Sequence, residues 1–154
     1  MFRSILRGCA AGAAGTTALN AMTYLDMALR GRPSSGAPED VVEKVAEKAG
    51  HPVPETDGRD NRLSGLGALT GIAVGVGTGA AVALLHRSGV RPPGWLGGPA
   101  TGALAMVLAD APMAGLGVSD PRTWSPADWT ADVLPHLAYG LVTYGLITAA
   151  HPHG

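Results

Sequence analysis

Long charge-free runs alternate with short polar connections along this chain, and each run is about as long as a bilayer-spanning helix. The clearest is 63–85, LSGLGALTGIAVGVGTGAAVALL, 23 residues without a formal charge. That length matches the ~20 apolar residues a transmembrane helix needs. Gly67, Gly71, Gly75 and Gly79 recur in it at a spacing of four. On a helix this spacing predicts a flat groove along one face, open to a close neighbour. A first helix is predicted over 5–29, where Gly8, Gly12, Thr16, Asn20 and Tyr24 form a small and polar stripe suited to that groove. A third span, 95–118, carries one charge, Asp110, with Pro99 in its first turns and Pro112 in its interior, where a kink is expected. The fourth covers 131–150, with Pro135 tolerated near its start. The pattern predicts an all-α fold: one membrane domain over 1–154, an integral four-helix bundle with both termini on one side.

The connections have their own signals. Within the polar loop 30–62, Pro33-Ser34-Ser35-Gly36 reads as a turn and Pro38 as a helix start. The following pattern puts Val41, Val42, Val45, Ala46 and Ala49 on one side, with Asp40 and Lys44 paired four apart. Gly50 and Pro52 supply the stop. This is a short amphipathic helix in the first loop, resting on the membrane surface or against the bundle; 51–61 then reads as loop. His86 to Gly94 is a tight basic turn, with Trp95 as an interfacial aromatic. Over 119–130, Ser125-Pro126-Ala127-Asp128 is shaped like a helix start, and Trp124 and Trp129 look like interface anchors.

Composition changes this picture little. Hydrophobic residues make up 46% of the chain, but 13 of its 23 Lys, Arg, Asp and Glu lie in 30–62, so the average hides the apolar blocks. The six glycines of 63–85 would cost a water-exposed helix ~6 kcal/mol of propensity against alanine. In lipid, unpaired backbone groups cost more, so the helix forms and its small residues admit neighbours. A net charge of −1 gives no reason to expect nucleic acid. Cys9 is the only cysteine, so no internal disulfide exists. Leu6-Arg7-Gly8-Cys9 outlines a lipoprotein cleavage box, but no apolar run precedes it. A signal peptide competes for 1–30, and Asn20 and Asp26 argue against it. Seven Lys and Arg on the side of 30–62, against Arg3, Arg7, Arg87 and Arg91 on the other, lean towards a cytoplasmic loop.

Candidate chemistry rests on polar residues inside the spans. Asp110 would cost ~3 kcal/mol near a helix centre, so it should face protein or water. Asp132, His136, Gly140 and Tyr144 follow at four-residue spacing on the fourth helix. Asp110, Asp132, His136 and Tyr144 thus form a candidate proton or ion path; the plainer alternative is that Asp132 caps its helix and His136 bonds to a neighbour. Asn20 and Asp26 are candidates for interhelical hydrogen bonds, Asp26 also for an ion pair with Arg30. Gly75-Val76-Gly77-Thr78-Gly79-Ala80 matches a dinucleotide fingerprint, yet no acidic residue follows about twenty positions on and no strand–helix alternation surrounds it. No P-loop, His-Glu-x-x-His or cysteine pair is present, and His151 and His153 are a weak metal signal. No catalytic residue, metal or cofactor is expected.

Gly8 and Gly12 in the first helix, Pro38-Glu39 opening the loop helix, and His136-Leu137-Ala138-Tyr139-Gly140 in the last helix carry a family resemblance. The chain resembles the YagU-like inner-membrane proteins and related small four-helix proteins of high-GC bacteria. Nine arginines against two lysines fit such a source. The resemblance implies the bacterial cytoplasmic (inner) membrane and no established reaction. The expected function is a non-enzymatic polytopic membrane protein, a scaffold or accessory subunit packing through glycine-rich helix faces. Its partners would be the lipid bilayer and a homo-oligomer or larger membrane complex. The alternative is a small transporter or channel using the intramembrane Asp and His groups.

Overall fold

The computed structural model describes residues 1–149. They form five α-helices and one 3-10 turn: α1 (Phe2–Arg30), α2 (Ala37–Lys48), α3 (Arg59–Arg87), α4 (Gly94–Gly115), the 3-10 turn Pro121–Thr123, and α5 (Pro126–Ala149). There is no strand among the described residues. The predicted tail histidines, His151 and His153, and the last residue of the predicted fourth span lie outside them.

Local chemistry sets the boundaries. Gly50 (φ 75°) ends α2, with the His51 amide reaching back to the Ala46 carbonyl at 2.9 Å. Gly89 (φ 102°) does the same for α3, where the Val90 amide bonds the Leu85 carbonyl at 3.0 Å. These are the 6→1 bonds of a glycine-terminated helix. At the start of α5, Ser125 and Asp128 cap reciprocally: the Ser125 amide donates to the Asp128 carboxylate at 2.9 Å, and the Asp128 amide to Ser125 Oγ at 3.2 Å. Proline at the first helical position completes the signal.

The four long helices run alternately up and down. Gly8 meets Gly79 and Gly12 meets Gly75, so α1 and α3 are antiparallel. Gly97 meets Tyr144 and Gly102 meets His136, so α4 and α5 are antiparallel as well. The spatial order is α3, α1, α5, α4, with α1–α3, α1–α5 and α4–α5 the extensive contacts and α3 touching α4 and α5 only slightly. One end of the bundle, the turn end, holds Met1, the 88–93 turn and the C-terminal turns of α5. The other, the loop end, carries 31–58 and 116–125.

Helix α2 lies against the first turns of α3, where Pro38 covers Gly67 and Arg59 pairs with Glu43 and, at 3.0 Å, with Glu55. Of the two places left open for the loop helix, it takes the bundle. The predicted Asp26–Arg30 pair forms at 2.8 Å, and Arg32 joins it.

Among the described residues one helix, α3, is long and apolar enough to cross a bilayer, with a mean hydropathy of 1.9 over its best window. The other three long helices have the length but dilute their apolar residues with glycine, proline, threonine and charged side chains. The glycine groove also differs from expectation. Gly75 and Gly79 contact α1 and Gly67 contacts α2, while a side chain added at Gly71 would meet open space. A four-residue step turns about 40° beyond a full circle, so a four-spaced row winds round a straight helix and cannot present its whole length to one partner. For the same reason Tyr24, last in the stripe of α1, is exposed.

Candidate functional site

The deepest part of the molecule is where α1, α3 and α5 meet. Tyr139 (1% exposed) and Thr143 (0%) project from α5 into this junction. The Tyr139 hydroxyl donates to the Gly75 carbonyl at 2.6 Å, and Thr143 Oγ1 to the Ala11 carbonyl at 3.4 Å. Gly15 leaves room for both, since a Cβ there would lie 2.8 Å from the Tyr139 ring. These hydroxyls bond to carbonyls already used in helical ladders, so they fasten helices together and are themselves satisfied.

The opposite face of α5 meets α4 through a second close approach. A Cβ on Gly102 would lie 2.5 Å from the His136 carbonyl oxygen, and one on Gly140 would overlap the backbone of Gly98 and Gly102. Gly98 and Gly102, four apart on α4, are thus a second glycine face, which the sequence reading missed. The spacing of Gly94, Gly98 and Gly102 was the available signal, but the row begins at the helix terminus and Pro99 interrupts it.

On the loop-end side of this contact, Asp110, Asp132 and His136 come together. His136 Nδ1 is 2.9 Å from the Asp132 carbonyl oxygen and 3.2 Å from Asp132 Oδ1. A carbonyl only accepts, so Nδ1 carries a proton and the ring is tied to the preceding turn of its own helix. The Asp110 carboxyl on α4 interacts with both Asp132 and His136. Asp132 Oδ2 is buried and makes no hydrogen bond. Two carboxyls and one imidazole therefore share a half-buried site that could hold a proton.

Tyr144, the fourth member of the predicted path, lies apart. Two turns beyond Asp132 would keep it nearby; three turns carry it about 18 Å along the axis. Its ring fills the space left by Gly97, its hydroxyl donates to the Pro92 carbonyl, and His86 (7% exposed) meets it edge-on at 6.2 Å between ring centres. The Gly98–Gly102–Gly140 contact stands between Tyr144 and the acid–histidine group. Along the α4–α5 seam the two halves of the predicted path are separated by backbone in van der Waals contact.

Among the described residues no three His, Cys, Asp or Glu side chains are grouped to hold a metal ion. At the loop end, the Arg122 guanidinium holds the Asp120 carboxyl below its ordinary range, and the Ser125 hydroxyl does the same for Asp128. Neither a family model, nor a curated protein, nor a solved structure matches the chain.

Proposed function

We propose that this chain is a non-enzymatic polytopic integral membrane protein, a four-helix bundle serving as a scaffold or accessory subunit in a bacterial cytoplasmic membrane. One observation carries the reading: the bundle is apolar outside and small or polar inside. Leu66, Leu69, Ile72, Leu84 and Leu85 on α3, Val107 and Leu108 on α4, and Leu134, Leu141 and Leu146 on α5 are exposed, as are Leu6, Leu25 and Leu29 on α1. The buried set is dominated by glycine, alanine, threonine and tyrosine. In water this arrangement wastes the hydrophobic effect; in lipid, small interior residues and interhelical hydrogen bonds are what drive association. The resemblance to YagU-like proteins supports this reading, and the Lys and Arg count favours a cytoplasmic 30–62.

Cysteine accessibility tests it. In a Cys9→Ala background, Leu69→Cys and Val107→Cys should resist a membrane-impermeant maleimide in intact vesicles, while Ser88→Cys and Asp57→Cys should label from opposite faces. Full labelling of Leu69→Cys, or release of the chain by alkaline carbonate, would sink the reading. A small transporter is the second reading, favoured by the Asp110–Asp132–His136 group alone; the glycine contact above that group argues against a continuous path.

A further inference from the structure

The structure segregates charge along the bundle. All twelve Asp and Glu side chains lie in the loop-end half, with seven of the eleven Lys and Arg. The turn end holds Arg3, Arg7, Arg87 and Arg91 and no carboxylate side chain. At the loop end, arginines 30, 32, 59 and 122 are each paired with carboxylates; among the described residues none of the four turn-end arginines forms an ion pair.

This end also contains a built cleft of about 300 Å³, lined by His86, Arg91, Pro92, Pro93, Tyr144 and Thr148. Its shape is fixed by bonds already described, with the Tyr144 hydroxyl on the Pro92 carbonyl and the ring against His86. Arg91 is held at the rim by its Nε, which donates to the His86 carbonyl at 3.1 Å. That bond leaves the two terminal guanidinium nitrogens for a ligand, in the fork geometry that suits a phosphate. The first turn of α4 opens at the same place without a side-chain cap, which adds a weak preference for negative charge. Trp95, the first residue after Gly94, is 78% exposed, and in the membrane reading it is an interfacial aromatic.

We infer that this cleft binds the phosphate of an anionic phospholipid headgroup. The inference rests on the membrane reading above. A basic pocket between helices, at the level of the headgroups and beside an exposed tryptophan, meets a phosphodiester where the bilayer supplies one at high local concentration. Arg91 grips the phosphate, and its charge, the nearest to the bound headgroup, favours a net negative headgroup over a zwitterionic one, with the other three arginines adding to it.

Native mass spectrometry of the full chain in detergent, titrated with phosphatidylglycerol or phosphatidylcholine, tests this in the absence of either leaflet. The phosphatidylglycerol adduct should form at lower lipid concentration, and Arg91→Gln should weaken it about five-fold. Arg91→Lys also loses the Nε bond to His86 but keeps the charge; it should retain most of the preference, which a purely structural role for Arg91 would not allow. Arg122→Gln, at the far end, should change nothing. Equal retention of the two lipids, or an unchanged preference in Arg91→Gln, overturns the site. If millimolar inorganic phosphate displaces phosphatidylglycerol, the ligand is a soluble anion and the lipid assignment falls. Carbonate extraction of the membranes from which the chain is purified separates the two ideas: a chain that stays with the membrane but lacks lipid preference overturns the cleft alone, and a released chain overturns both.

Discussion

Gly140 of α5 lies against Gly102 of α4 so closely that a Cβ on Gly140 would fall 2.7 Å from the Gly102 Cα. No side chain larger than hydrogen fits there, and no water does either. The contact closes the α4–α5 seam between the Asp110–Asp132–His136 group and Tyr144.

Proton flux follows from that closure. Liposomes containing the wild-type chain should conduct protons no faster than protein-free liposomes under a pH gradient, and Asp110→Asn should leave that rate unchanged. A wild-type conductance abolished by Asp110→Asn would move the function to the transporter reading.

Glycines of one row should differ sharply in their tolerance. Gly79→Leu drives a side chain into the α1 backbone and should destabilise the bundle by about 2 kcal/mol or more. Gly71→Leu projects into open space and should leave the unfolding midpoint in detergent unchanged or raised, since glycine is the poorer helix former. Equal losses at the two positions would mean that α3 has a further partner along Gly71.

These glycines also show what could be read from sequence. The four long helices and α2 were legible because their signals are local: charge-free length, Gly50 and Pro52 as a stop, the basic turn from His86 to Gly94, and Ser125 and Asp128 as a start. The pairing of Gly8 and Gly12 with α3 was legible as small residues at matching spacing. What escaped reading depends on rotation and distance. Gly71 and Tyr144 belong to rows that are continuous in sequence, yet a row of four-residue steps winds about the helix and advances some 6 Å each time. Gly98, Gly102 and Gly140 belong to different helices, and nothing local announces that they meet.

Tyr139→Phe should cost about 1 kcal/mol, the worth of one hydroxyl-to-carbonyl bond, while leaving the ring in place. Thermal unfolding in detergent measures it. Thr143→Val removes the longer bond to Ala11 and should cost less.

Ser125→Ala should raise the Asp128 pKa towards 3.8, because the Ser125 hydroxyl is the largest cause of its depression. A carboxyl depressed in the folded state adds stability above its unfolded pKa and loses that contribution as pH falls through the folded one. The variant should therefore flatten the acid limb of the stability curve below about pH 4. Carbon-detected NMR titration of the Asp128 carboxyl reads the shift directly, and an unchanged value would show that the cap does not form in solution.

The central place of α5 has a consequence for how the chain is made. α1 and α3 hold each other through Gly8, Gly12, Gly75 and Gly79, and both emerge before α5. α4 has only a slight contact with α3, so its glycine face stays vacant until α5 follows. During synthesis the first pair can close once α3 has cleared the ribosome, whereas α4 waits. A chain ended between Gly115 and Pro126 should keep a paired α1 and α3 beside an α4 whose glycine face is unpartnered, and α4 should be the first segment cut in limited proteolysis.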